Sequence, residues 1–223
     1  MNQNPLMISY KNLRILIGVL AISIAIGCVL GGLLFAALTP QISISAYYHT
    51  NMRDYLEAIL MGTGMFMLMY YGYDLKDRII SSVAGFFGIC IALFPTYGNQ
   101  LPVGIFQLDP HLSEKLHMGS AIIFFALLAY ISYFLFTKSG PTMTIQKKTR
   151  NVIYRVCGIV IVVSGILLAL CNLLLPYEII ARFRLILVFE FIMLTAFGIS
   201  WLTKGEAIFG DNKVNCPCLK ARA

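Results

Sequence analysis

Apolar runs of about 20 residues recur along this chain, the length a helix needs to cross the hydrocarbon of a bilayer. Six such runs are legible, at about 14–37, 53–71, 79–95, 116–136, 152–175 and 185–202. A backbone in lipid must satisfy its own hydrogen bonds, so each run is predicted to be an α-helix. No segment between them is long enough to bury a core of its own. The expected fold is all-α: one polytopic membrane domain over 1–223, a bundle of six transmembrane helices followed by a cytoplasmic tail over 203–223. Composition agrees, with 59% hydrophobic and only 12% charged residues, where a soluble domain carries about 25% charged.

Punctuation between the runs sets their limits. A positive start with Lys11 and Arg14 precedes an apolar run too long for a secretory signal, so the first run reads as an uncleaved span. Within it Gly27 and Gly31 form a G-x-x-x-G pair, with Gly32 beside them, a spacing that lets two helices approach closely. Thr39-Pro40 ends that helix. Asn51 is placed to cap the next one, with Asp54 at its third position near the positive dipole end. Tyr73 to Arg78 reads as a short charged turn. Asp109-Pro110 reads as a helix cap with proline in the first turn, and Pro176 stops the fifth run.

The net charge of +7 is distributed as topology control rather than as a nucleic-acid surface. Lys11, Arg14, Lys76, Arg78, Lys138, Lys147, Lys148, Arg150, Arg155, Lys204, Lys213, Lys220 and Arg222 fall on one side of the spans. Only Arg53, Lys115, Arg182 and Arg184 fall on the other. Both termini are therefore expected in the cytoplasm. Of six cysteines, Cys28, Cys90, Cys157 and Cys171 lie within apolar runs as small hydrophobes. Cys216 and Cys218 lie in the tail, where two thiols make no closed metal site.

Polar chemistry gathers on the non-cytoplasmic side: His49, Arg53, Asp54, Glu57, His111, Glu114, His117 and Glu190. Arg53 and Glu57 are four apart and can meet on one helix face. Glu190 stands about 9 Å inside the sixth run at 1.5 Å per residue, and an ionisable group there is expected to face the bundle interior and find a partner. If the second, fourth and sixth spans are neighbours, Arg53, Glu57, His117 and Glu190 converge. Three readings follow. The cluster is a packing network; or a recess for a lipid headgroup or other small polar ligand; or a zinc site for lipid hydrolysis with His49, His117 and His111 as ligands. No H-x-x-x-H pair, phosphate-binding glycine loop or G-x-S-x-G elbow is present.

Several blocks carry a resemblance: Pro40-x-Ile42-Ser43 to Asp54, Ala84-Gly85 to Phe94-Pro95-Thr96, His117-Met118-Gly119-Ser120-Ala121 with Phe124-Phe125, and Glu190-Phe191. They resemble a prokaryotic six-span membrane-protein family defined as a domain of unknown function, and more distantly the eukaryotic DRAM/Frag-like group. That likeness covers most of residues 13–202 and implies six spans and the outward placement of His117 and Glu190. It transfers no catalytic residue. Ser45-x-x-x-His49 also resembles the serine–histidine element of the ceramidase and progestin-receptor-like membrane hydrolases, without their paired histidines or seventh span.

The reading that results is a multi-pass protein of a bacterial inner membrane, without cofactor, that binds or organises membrane lipids or partner helices at its polar recess. Self-association into a homo-oligomer is compatible with it. The alternatives are a zinc-dependent lipid hydrolase and, third, a small-solute transporter.

Overall fold

Where the helices begin follows from which side chain can take up their unpaired first-turn amides. The computed structural model describes residues 5–35, 37–98, 104–140 and 143–210, and Cys216 and Cys218 lie outside them. The helices are α1 Pro5–Phe35, α2 Arg53–Leu68, α3 Leu75–Leu93, α4 Pro110–Tyr130, α5 Ile145–Leu174, α6 Tyr177–Phe183 and α7 Leu185–Lys204. A 3₁₀ turn, Ser45–His49, precedes α2, and a π turn, Ile131–Leu135, prolongs α4. No strand occurs among the described residues.

Asp109 caps α4 as expected, accepting from the amides of His111 and Leu112. The charged turn at 73–78 is instead the cap and first turn of α3, with Asp74 accepting from the Asp77 amide at 2.9 Å. Asn51 does not cap α2. The chain enters α2 straight from the 3₁₀ turn, so the N-cap falls on Met52, and the Thr50 hydroxyl accepts from the Met52 amide at 3.1 Å. Helix α5 starts earlier than its apolar run because Thr144 accepts from the Lys147 amide.

Six helices form a closed ring in the order α1, α2, α3, α4, α5, α7, with α7 packed back on α1. Glycine sets three of these contacts. A Cβ on Gly18 would stand 2.8 Å from the Gly198 carbonyl oxygen, and one on Gly85 would stand 2.5 Å from that of Gly64. The third is Gly158 of α5, beneath Tyr133. The G-x-x-x-G pair of α1 works differently from the sequence expectation. Gly27 and Gly31 make room for the side chains of Tyr55 and Met52, and the Tyr55 hydroxyl donates to the Ser23 carbonyl at 2.8 Å.

The ring interior near the α7 C-terminus is filled by rings packed edge to face. Trp201, fully buried, meets Tyr70, Phe136 and Phe197 with centroids 4.9, 5.0 and 5.9 Å away. Ser132 and Ser200 bridge the π turn and α7 at 2.9 Å. The outer surface is apolar: Val156, Ile159, Val163 and Ile166 of α5 all face outward. An apolar surface this extensive is one that lipid covers.

Among the described residues four helices are long and apolar enough to cross a membrane: Tyr10–Phe35, Pro110–Leu135, Ile145–Leu174 and Leu185–Lys204. Helix α2 has 16 residues, about 24 Å at 1.5 Å each, and α3 opens on Lys76, Asp77 and Arg78.

The α2–α3 crossing yields a test. Gly85→Ala should destabilise the protein by about 1–3 kcal/mol, because the methyl meets backbone rather than a movable side chain. Gly119→Ala, where nothing lies within 4 Å, should be neutral or slightly stabilising. Thermal unfolding of the detergent-solubilised protein reads both, and equal melting temperatures would refute the crossing.

Candidate functional site

The site begins with an irregular segment, 40–44, strapped along the start of α7. Arg184 donates through Nε to the Pro40 carbonyl at 2.6 Å. The Leu187 amide, unpaired within the first turn of α7, donates to the Ile42 carbonyl at 3.0 Å. The Ile44 amide then donates to Glu190 Oε2 at 2.6 Å. Residues 184, 187 and 190 lie one turn apart on the same face of the chain entering α7, and they take alternate residues of the strap. Arg184 itself sits at φ 48°, a left-handed conformation that costs a non-glycine residue about 1–2 kcal/mol. Its bond to Pro40 helps hold it there.

The strap delivers the 3₁₀ turn across the end of the ring. Ser45 Oγ lies 2.9 Å from His117 Nε2. His117 Nδ1 faces two carbonyls, Phe94 at 2.7 Å and Ile91 at 3.2 Å. Carbonyls only accept, so Nδ1 carries the proton, and in the neutral ring Nε2 accepts from the Ser45 hydroxyl. His117 is 4% exposed. Ser113, one turn earlier on α4, donates to the Pro95 carbonyl at 2.8 Å. Together these bonds fix the end of α3 against α4.

Between these elements lies a cavity of about 50 Å³. Its polar lining is Ser45, Tyr48, Glu57, His117 and Glu190, and the rest is apolar, with Leu60, Phe124 and Leu194 among the walls. At about 10–15 Å³ per water, such a volume holds a few waters or one small chemical group. Burial raises the pKa of the Tyr48 hydroxyl, which stays protonated at neutral pH.

Of the residues singled out in sequence, Glu57, His117 and Glu190 share this cavity. Arg53 stands nearby: its Nε lies 3.3 Å from Glu57 Oε1 and its guanidinium covers the Tyr48 ring at 4.8 Å. Helices α2, α4 and α7 are not mutual neighbours, however. They are alternate members of the ring, and their side chains meet across its interior. The other candidates go elsewhere. Asp54 is exposed in the first turn of α2. His49 is exposed, with Nε2 2.8 Å from the Thr96 carbonyl, and His111 stacks on Tyr97 with centroids 4.8 Å apart. Among the described residues no three His, Cys, Asp or Glu side chains gather closely enough to hold one metal ion.

Sequence reading missed Ser45 as the partner of His117, because 72 residues separate them. It also missed a second polar concentration at the opposite end of the ring. There Lys138 bridges Asp77, which is buried, and Asp74, at 2.8 Å from the latter. Hydrogen bonds from Lys138 and the Asp77 amide hold the Asp74 carboxyl below the usual carboxylate range. Lys204 and Arg150 are each 5% exposed. The only signal for Lys204 was its place at the end of the last apolar run.

No family of known sequences, no curated protein and no solved structure matches this chain.

Two expectations follow. Glu190→Ala leaves the Ile44 amide without its acceptor and should cost about 1–3 kcal/mol. Glu178→Ala, at an exposed position, should change stability by no more than about 0.5 kcal/mol. Equal tolerance of both in thermal unfolding would remove Glu190 from the strap. Because the Asp74 pKa is lowered by folding, its contribution is present above the unfolded carboxylate pKa and lost as pH falls through the folded one. Asp74→Asn should therefore flatten the acid side of the stability profile.

Proposed function

We propose that this chain is a six-span integral membrane protein, both ends cytoplasmic, whose recess holds the hydrogen-bond-donating end of a membrane lipid. The observation that carries the reading is the chemistry of the cavity lining. Ser45, Glu57, His117 and Glu190, from four elements, enter one otherwise apolar recess. Two of them, Glu57 and Glu190, present carboxyl oxygens as acceptors, while His117 Nε2 is taken by the Ser45 hydroxyl. The matching guest is a primary amine or a hydroxyl on an amphiphile. The small volume seats that end alone, and the acyl chains remain in the bilayer.

Six spans are supported by the ring itself. Helices α2 and α3 stand between α1 and α4, both of which are membrane-capable, so they share the same slab. Their shortness and the charged first turn of α3 are accommodated by side chains reaching to the interface. The excess of Lys and Arg at the opposite end supports a cytoplasmic position for that end. As part of the same proposal the chain is akin to the prokaryotic six-span family defined as a domain of unknown function, more distantly to the DRAM/Frag-like group, and works in a bacterial inner membrane.

Lipid identity and topology are tested separately. Mass spectrometry of lipids retained by the purified protein should show amine- or glycerol-headed lipids enriched over the bulk membrane. Glu57→Gln should cut that enrichment by roughly tenfold, the loss of one charge-assisted bond, while Glu178→Gln leaves it intact. Retained lipid that mirrors the bulk in every variant would sink the binding role. For topology, single cysteines at Thr50 and Ser139 in a cysteine-free chain should label from opposite sides of the membrane with an impermeant maleimide.

A further inference from the structure

The recess beside Glu190 has a charge pattern that its own wall does not complete. Glu57 and Glu190 both line a space of about 50 Å³, and no Lys or Arg lines it with them. Glu190 Oε2 accepts from the Ile44 amide at 2.6 Å. Among the described residues no Lys, Arg or His side chain comes within 4 Å of that carboxyl group. His117 supplies no counter-charge, because its ring nitrogens are spent on Ser45 and on backbone carbonyls. An ionisable group inside an apolar helix ordinarily meets a partner of opposite charge. Here that partner is missing from the described chain, and the side chain lines open space instead.

A cation stands just outside this wall. Arg53 donates through Nε to Glu57 Oε1 at 3.3 Å, and its guanidinium covers the Tyr48 ring at 4.8 Å. Both Glu57 and Tyr48 line the recess, so Arg53 marks its rim. The Arg53 side chain is 52% exposed, and among the described residues only its Nε finds a protein acceptor. Nη1 and Nη2 are therefore open to a ligand. A planar fork of N–H donors is the group that best matches phosphate oxygens. An acidic interior without a cation thus adjoins a guanidinium with donors to spare.

We propose that the recess selects a lipid headgroup carrying a primary ammonium next to a phosphate, with the ammonium between Glu57 and Glu190 and the phosphate at Arg53. This rests on the lipid reading of the recess given above and fixes the charge pattern of its guest. The three N–H donors of an ammonium match the carboxyl lone pairs that Ile44 and Arg53 leave over. A hydroxyl in the same place would leave Glu190 without a counter-ion in an apolar wall, where an uncompensated charge is costly. A quaternary ammonium has no N–H to donate, and it is too broad for a space that seats one small group. A headgroup with an added carboxylate brings a third negative charge to the two already there.

The test uses the full chain in non-ionic detergent with four probes: dioctanoyl phosphatidylethanolamine, phosphatidylcholine and phosphatidylglycerol, and dodecylamine. Phosphatidylethanolamine should bind saturably and about tenfold more tightly than either of the other two phospholipids. Glu190→Gln keeps an acceptor for the Ile44 amide, so its melting temperature should stay close to that of the unaltered protein while most of that preference disappears. Arg53→Gln should weaken phosphatidylethanolamine several-fold and leave dodecylamine no weaker, since only the former carries a phosphate. Glu178→Gln should alter neither. Phosphatidylglycerol or phosphatidylcholine bound as tightly as phosphatidylethanolamine overturns the inference and leaves the wider lipid reading standing. Equal weakening of phosphatidylethanolamine and dodecylamine by Arg53→Gln also overturns it. Absence of saturable binding by all four probes removes both readings.

Discussion

Closure of the ring through the α1–α7 crossing governs everything else in this molecule. At Gly18 and Gly198 the two helices approach so closely that a methyl group on either would strike the other's backbone. Bringing the first long helix and the last into contact converts a row of helices into a cylinder, and a cylinder has an interior that must be filled or left open. One half is filled by Trp201 and the aromatic side chains around it. The other half packs Leu60, Phe124 and Leu194 around the small recess. It is covered by the connector between α1 and α2, whose own amides must find acceptors once they leave water. Glu190 serves as such an acceptor from inside α7, so the carboxylate that lines the recess also fastens its lid.

The helical architecture was legible because the apolar runs had helical length and clear punctuation at their ends, and among the described residues four of the resulting helices are long and apolar enough to cross a membrane. Asp109-Pro110 marked the start of α4 at the level of single atoms. Ring order was not legible: apolar faces on six helices satisfy many arrangements, and the glycines that select among them look alike in sequence. Gly27 and Gly31 match the spacing of a helix crossing, yet they accommodate Tyr55 and Met52, while Gly18 and Gly198, with no motif around them, make the actual backbone contact. The site was legible in part for the same reason. An ionisable residue inside an apolar run must turn inward, which brought Glu190 forward. The hydroxyl of Ser45 could belong to any surface turn, and only the path of the strap brings it to His117.

The two ends of the ring solve opposite electrostatic problems. At the recess, carboxylates and a histidine nitrogen present acceptors in an apolar wall, and backbone amides and Arg53 supply the donors. At the far end, ammonium and guanidinium groups predominate, and carbonyls freed where α4 loosens into its π turn supply acceptors. Phe136 shows this directly: it closes the π turn by donating to Ile131 at 3.0 Å, and its carbonyl takes both Lys147 and Lys204. Side-chain cations thus replace the next helical turn at that carbonyl, a use of π turns that recurs at functional sites.

The Ser45–His117 pair has the spacing of a nucleophile and its base, and its chemistry is decided by what surrounds it. Acyl transfer needs amide donors aimed at the developing oxyanion beside the serine. Here the neighbouring Ile44 amide is already bonded to the Glu190 carboxyl group and is taken from that role. Zinc hydrolysis meets a different obstacle, since His117 uses one ring nitrogen on backbone carbonyls and the other on Ser45, while His49 and His111 are engaged elsewhere. The acceptors these bonds leave over are carboxyl oxygens of Glu57 and Glu190, the feature on which the proposed hydrogen-bond-donating guest rests.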